Sequence, residues 1–300
     1  MPTNGHPHLC FIGFGEAGQA IAAGLREAGI TSIAAWDILF PAPEGERLKA
    51  AATRVNVRIA SSAADAVTGA DIVISAVTAA SSLEAARSVL PHLQNAPFFL
   101  DINSVSPGRK QETAALIGDK ARYVDLAVMA PVYPARHQTP MLIAGAHATE
   151  IEPVLSGWQM RVSVAGAEVG AAAAIKMVRS VMVKGMEALT LECFLAASRA
   201  GVLEQVMGSL AKSFPGLDWP KMVAYNIERM ASHGARRAAE MEEVADTLRE
   251  LGVEPLMVTA TVQRQREMSQ IGKQPTVRDT LQAGHVPLLN AVSAAARDRH

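Results

Sequence analysis

The sequence predicts an α/β fold, a doubly wound sheet followed by an all-α domain, and three observations carry that expectation. A short apolar run, Leu9-Cys10-Phe11-Ile12, breaks into Gly13-Phe14-Gly15-Glu16-Ala17-Gly18 and continues as an alanine-rich stretch to Ala28. Apolar runs bounded by turn residues then alternate with helix-like stretches through the first half of the chain. After Gly166 the period-two pattern stops, and two long stretches without internal proline take over. The expected division is 1–165 for the sheet domain and 166–300 for the helical one.

The first strand, 9–12, runs into the glycine turn. Gly13 permits the turn, Gly15 lets a pyrophosphate approach the backbone, and Gly18 lets the helix pack close to the strand. Phosphate charge then meets the N–H groups at the helix N-terminus. Gly13, Phe14, Gly15, Glu16, Ala17 and Gly18 are thus the candidate cofactor loop of a Rossmann-type sheet. Glycine turns also join strands to helices where nothing binds, so the context decides. The helix stops at Gly29, and the run from Ser32 to Trp36 delivers Asp37 nineteen residues after Gly18. A carboxylate there accepts hydrogen bonds from ribose hydroxyls. Ile38, Leu39 and Phe40 follow without an arginine for a 2′-phosphate, which favours NAD, with NADP as the alternative. A solvated strand-end aspartate is the competing explanation.

Pro41-Ala42-Pro43-Glu44-Gly45 makes a loop, and Val55-Asn56-Val57-Arg58-Ile59 alternates as a third strand. Asp71-Ile72-Val73-Ile74-Ser75-Ala76-Val77 reads as a buried strand ending at Thr78, with Ser81-Ser82 capping a helix to Leu90. Phe98-Phe99-Leu100-Asp101 is the fifth strand. Beyond it, Ser106 as N-cap and Pro107 in the first turn open a helix to Ile117. Residues 123–128 and 141–144 are further strands, separated by the irregular segment from Met129 to Pro134. Ligands of such sheets bind at the carboxyl ends of the strands, so Val77-Thr78, Asn103-Ser104 and Met129-Ala130 are expected to border a cofactor cleft. In the second half, 171–200 reads as one helix and 225–251, stopped by Gly252, as another. Pro215, Pro220, Pro255, Pro275 and Pro287 punctuate the remainder.

Composition narrows the function classes. Lysine and arginine number 28 against 29 acids, with no basic run longer than a pair, so neither nucleic acid nor an anionic membrane is an expected partner. A small-molecule substrate fits better. The N-terminal residues lack a basic region followed by an apolar run, and no stretch of about eighteen apolar residues occurs, so the expected location is cytoplasmic. Cys10 and Cys193 have no metal-ligand spacing and are expected to be buried thiols. His6 and His8 sit on a Pro/Gly-containing tail and read as ordinary tail residues rather than a metal clip.

With these motifs in place, the sequence resembles the β-hydroxyacid dehydrogenase superfamily, which includes 3-hydroxyisobutyrate, tartronate semialdehyde and 6-phosphogluconate dehydrogenases. The likeness covers roughly residues 9–252. The turn at 13–18 matches the family's cofactor loop. Asp101-Ile102-Asn103-Ser104-Val105-Ser106-Pro107 looks like its strand-end motif, which implies that Asn103 and Ser104 lie near nicotinamide and substrate. The family's Asp-Ala-Pro-Val-Ser-Gly-Gly, ahead of Ala-x-x-Gly-Thr-Leu, falls on Asp125-Leu126-Ala127-Val128-Met129-Ala130-Pro131, with Ala135 and Thr139 in register. Its Ser-Gly-Gly has become Met129-Ala130-Pro131, which removes a hydroxyl and one backbone N–H from the substrate pocket. The motif Gly-x-x-x-Lys-x-x-x-Asn resembles the stretch from Ala171 to Ser180, placing the catalytic lysine at Lys176 and Ser180 where the family has asparagine. A family Lys-Asp pair falls on Ala239 and Glu240, so that lysine is lost, and His233, Arg236 and Arg237 are the nearby candidates for positive charge. These departures resemble a branch of phosphogluconate dehydrogenase-like NAD-binding proteins with a distinct C-terminal helical domain.

Lys176 also stands out on its own residues. Ala171 to Ile175 precede it with no polar partner at i−3 or i−4, and beside Arg179 a cleft-facing lysine would give up its proton more readily than one in water. The ordinary alternative is a solvated helix face. Lys184 lies about 80° around the same helix and is expected to be solvated or interfacial. Arg236 and Arg237 read equally as an exposed pair against Glu240 and Glu243 or as a substrate carboxylate site. Met129 and Met182 are expected to pack.

The expected activity is hydride transfer between nicotinamide and a small β-hydroxy acid or its keto or semialdehyde partner. Lys176 would exchange the hydroxyl proton while Asn103, Ser104 and Ser180 orient the substrate, and Met129, Ala130, Arg179 and Arg236 would line its pocket. The apolar Met129-Ala130-Pro131 suits a substrate bulkier or less polar than 3-hydroxyisobutyrate. An imine-reductase-like enzyme is the enzymatic alternative, weakened by the retained Lys176. A non-catalytic NAD sensor and a helical scaffold are the others. A homodimer through the C-terminal helices is expected, because 171–200 is too long and apolar for one chain to cover and the family pairs through this half.

Overall fold

The protein is described by a computed structural model over residues 7–297, so His6 lies outside the described residues. Two compact units divide the chain, Met1–Met177 and Val178–His300.

The first unit begins β1 (Leu9–Ile12), α1 (Glu16–Glu27), β2 (Ile33–Trp36), α2 (Glu46–Arg54), β3 (Arg58–Ile59), α3 (Ala63–Val67) and β4 (Ile72–Ser75). It continues α4 (Ser82–Val89), β5 (Phe98–Asp101), α5 (Pro107–Ile117), β6 (Arg122–Val128), β7 (Met141–Ala144), α6 (Ala148–Gly157) and β8 (Val162–Gly166). The eight strands form one sheet in the order β3-β2-β1-β4-β5-β6-β7-β8. Neighbours run parallel except β6 and β7. The chain reverses its direction of winding between β1 and β4, which is where such sheets open a ligand crevice.

Successive strand residues point to opposite faces, and the core follows that alternation. Leu9, Phe11, Ile72, Ile74, Phe98 and Leu100 pack with Ile21 and Leu25 of α1 and Ile151 and Leu155 of α6. Cys10, Ile12, Val73 and Phe99 pack on the other face with Val67, Ala86 and Val89. Both faces are therefore dry, and burial pushes the Cys10 thiol well above its usual range.

Several local expectations are corrected. The third strand is only Arg58–Ile59, because Val55 and Asn56 close α2 by bonding back to Ala52 and Thr53, with Asn56 at φ 53°. Ser81 stands at the N-cap of α4 as expected, but its side chain caps no N–H of the helix: a single tight turn from Ala79 to Ser81 leads in, and the Thr78 hydroxyl donates to Ser81. An eighth strand, β8, follows the last expected one at 141–144, with Ser163 and Val164 exposed. The Ser106 cap and the Pro107 start of α5 are as expected, with the Ser106 hydroxyl accepting from the Arg109 N–H.

The helix α7 (Ala171–Arg199) starts in the first unit, and most of its residues belong to the second. The second unit continues α8 (Leu203–Ser213), α9 (Trp219–Glu250), α10 (Leu256–Ile271), α11 (Pro275–Arg278) and α12 (His285–Arg297). Its core gathers Leu191 and Phe194 with Trp219, Val223, Ile227 and Met230 of α9, Met268 and Ile271 of α10, and Leu288, Leu289 and Val292 of α12. α9 starts six residues before the expected Tyr225. Asp218 caps it by accepting from the Lys221 N–H, and Pro220 falls in the first turn, where a missing N–H costs nothing. Cys193 is exposed rather than buried, since it lies on α7 away from the Leu191 and Phe194 face.

Candidate active site

The glycine turn is built as its residues demand. Gly13 has φ 90°, and a Cβ there would lie 2.4 Å from the Ala76 carbonyl oxygen, so strand β4 leaves no room for a side chain. At Gly15 a Cβ would meet nothing within 4 Å. The protein's own packing leaves space there, beside the first turn of α1, which no side chain caps. Uncapped N–H groups and open space suit a dinucleotide pyrophosphate. Asp37 lies under the turn: its Oδ2 accepts from the Phe14 N–H at 2.7 Å and its Oδ1 from the Leu39 N–H at 3.0 Å. A carboxylate has about four lone-pair sites, so acceptor capacity for a ribose diol remains. Ile38 beside it is 82% exposed, an apolar rim without a cation of its own.

At the next two strand ends, Asn103 is buried and its amide ties β4 to β5. Its Oδ1 accepts from the Val77 N–H at 2.7 Å, and its Nδ2 donates to Ser75 Oγ at 2.9 Å. Thr78 is exposed and Val77 half-buried beside this clamp. Ser104 follows, half-buried, and its hydroxyl accepts from Lys176 Nζ at 2.5 Å. The lysine singled out by motif and the strand-end serine therefore meet. Met129 is half-buried and Ala130 exposed at the end of β6.

A polar network lies below these groups, and sequence reasoning missed it. Asp101 and Asp125 stand opposite each other on β5 and β6, both fully buried. Lys110, 1% exposed on α5, places Nζ 2.5 Å from the Asp101 carbonyl oxygen, 3.0 Å from Asp101 Oδ1 and 3.5 Å from Asp125 Oδ1. The Tyr123 hydroxyl donates to Asp101 Oδ2 at 2.7 Å, and burial together with the two carboxylates holds that phenol protonated. Asp125 Oδ2 accepts from the N–H groups of Gly170 and Ala173 at 3.1 and 3.0 Å. The available signal was an aspartate in the middle of an otherwise apolar strand.

The second unit corrects the charged candidates. Lys184 is not solvated: it is 8% exposed, donating to Ser180 Oγ at 2.9 Å and lying 3.5 Å from Glu240 Oε2. Burial, with Arg237 and Arg179 adding to it, lowers its pKa against the opposing pull of Glu240. A lysine thus stands beside Glu240 although none is at 239. Arg237 is buried rather than exposed and forks onto Glu187, which also accepts from Gln265. Arg236 is exposed and pairs with Glu240 at 3.2 Å, and Arg179 is exposed.

Residues 8–104 match the family model described as NADP oxidoreductase coenzyme F420-dependent, and residues 197–268 match a domain of unknown function, DUF1932. A solved conserved hypothetical protein from Sinorhizobium meliloti 1021 is 35% identical, with 97% of each chain covered and a TM-score of 0.77. The conserved protein MTH1747, solved and described as structurally similar to 3-hydroxyacid dehydrogenases, is 31% identical over 88% of this chain and 97% of its own, with a TM-score of 0.70. The chain belongs to the β-hydroxyacid dehydrogenase superfamily. A 3-hydroxyisobutyrate dehydrogenase from Mycobacterium tuberculosis, 20% identical over 97% of this chain and 99% of its own, has the same fold at a TM-score of 0.70. Within the superfamily the first unit is an NAD(P)-binding oxidoreductase domain, and the DUF1932 match lies in the distinct helical half. Among the described residues no group of three or more His, Cys, Asp or Glu side chains is placed to hold a metal ion.

Proposed function

We propose that the protein oxidises or reduces a small β-hydroxy acid and its keto or semialdehyde partner, with Lys176 moving the proton. The observation that carries this is the Lys176 to Ser104 hydrogen bond, which brings the motif lysine to a strand end of the cofactor-binding sheet. With its pyrophosphate at the glycine turn, a nicotinamide dinucleotide would supply a hydride acceptor or donor at C4 of its nicotinamide. In the oxidative direction the Lys176 amine takes the substrate's hydroxyl proton as the carbinol carbon loses hydride, leaving a carbonyl and an ammonium. Reduction reverses both transfers. Ser104 steers the Lys176 amine, and Ser180, Arg179 and Arg236 are the further proposed substrate contacts. Half-buried Met129 and exposed Ala130, at the place of the family motif's Ser-Gly, favour a less polar substrate. The same apolar substitution supports a second reading, NAD(P) binding without turnover.

Asp37 tests the cofactor half. Asp37→Ala is expected to weaken NAD at least about tenfold, the scale of lost charge-assisted hydrogen bonds, and to raise the ratio of NADP to NAD affinity. Titration of intrinsic fluorescence with each dinucleotide reads both, and an unchanged ratio would remove Asp37 from the ribose site.

We also place the protein in the cytoplasm as a homodimer. No helix among the described residues is long and apolar enough to cross a membrane. On α7, Val178, Met182, Met186 and Leu189 are exposed and recur at three- and four-residue spacing, and Leu256 and Met257 at the start of α10 are exposed too. Light scattering at micromolar concentration is expected to give twice the 31.7 kDa chain mass, and the monomer mass would contradict the dimer.

A further inference from the structure

We infer that Asp125 and Lys110 are positioning residues for Lys176: Asp125 holds the start of α7 and Lys110 holds Asp125. This rests on Lys176 as the proton-transfer group. Gly170 and Ala173 are the N-cap and third helical positions of α7, and one carboxylate oxygen accepts from both N–H groups. Lys176 follows Ala173 by three residues, so its backbone is set by the turn that this carboxylate closes. The cap is unusual in coming from a sheet strand instead of the preceding loop, which fixes the helix to β6 and, through the paired register, to β5 and Ser104. Gly170 has φ 99°, and a Cβ there would lie 3.1 Å from Pro107 Cβ, so the starts of α7 and α5 are packed against each other as well.

The charges account for Lys110. Two buried aspartates facing each other across neighbouring strands repel. One ammonium lies between them, and the N-terminal dipole of α7 supplies the remaining positive potential to Asp125. Without Lys110, the two facing carboxylates would stand without the ammonium between them, and their repulsion would push Asp125 off the start of the helix.

The test needs no substrate. Lysines are labelled with trinitrobenzenesulfonate across a pH series, and the rate at each lysine is read by peptide mass spectrometry, with exposed Lys212 as internal reference. In the parent, half-buried Lys176, held by Ser104, should label more slowly than exposed Lys212. Asp125→Asn, an isosteric change, should alter the pH profile of Lys176 labelling and change the ratio of Lys176 to Lys212 rates at least about fivefold, and Lys110→Gln should do the same more weakly. If Asp125→Asn does not fold, Asp125→Glu, which keeps the charge and displaces the cap, is read identically. Tyr123→Phe, which removes a hydrogen bond from Asp101 without touching the cap, should lower Tm and leave Lys176 labelling unchanged. Parent-like labelling of Lys176 in the folded Asp125 variant overturns the inference, as does an equal change in Tyr123→Phe. Failure of Lys176→Met to lower turnover would instead remove the lysine's catalytic role and leave the labelling result standing.

Discussion

Replacing Lys176 with methionine is expected to lower turnover on the best hydroxy-acid substrate by at least about a hundredfold, with NAD(P) affinity intact. Methionine keeps most of the stem and removes the Nζ that donates to Ser104, so packing is little changed while the proton carrier is lost. Affinity for the dinucleotide is the internal control, because Gly15 and Asp37 lie on other strand ends. Oxidation needs Lys176 without its proton and reduction needs it with one. The two directions should therefore show opposite pH trends in the parent, and both trends should flatten in the variant. Activity within tenfold of the parent, or a parallel loss of NAD(P) binding, would take the proton-transfer role from Lys176.

Lys110→Met carries the second large effect, on stability. It leaves Asp101 and Asp125 buried, adjacent and without their ammonium, and breaking such a group costs about 3–5 kcal/mol. Because the chain has two units, the readout is the midpoint of the transition followed through Trp36 and Trp158 of the first unit. A fall on the order of ten degrees is expected. The double variant with Asp125→Asn should be less destabilised than the sum of the two, since one uncompensated charge is gone. A midpoint within about two degrees of the parent would mean that the ammonium does not stabilise the carboxylates.

The parts of this molecule that were legible in the sequence are those whose meaning is local. The strand, glycine turn and helix at 9–27 are fixed by a few neighbouring residues, as are the Ser106 cap and the position of Asp37 at the end of β2. Lys176 was legible because a motif carries it with its spacing. What stayed hidden depends on partners far along the chain. Lys110 looks like any helix-surface lysine until α5 is laid over two buried aspartates on neighbouring strands. Arg237 forks onto Glu187, fifty residues earlier on another helix. Lys184 reads as solvated until α9 brings Glu240 against it. β8 stayed hidden because its exposed Ser163 and Val164 show no core-facing alternation.

The most direct test of the central claim is a hydroxy-acid panel followed by nicotinamide fluorescence, with the parent protein and both NAD and NADP. At least one small β-hydroxy acid should give a steady rise in reduced-nicotinamide fluorescence, proportional to enzyme and absent in Lys176→Met. A protein that binds the dinucleotide yet produces no reduced nicotinamide with any acid of the panel would contradict the dehydrogenase and favour binding without turnover.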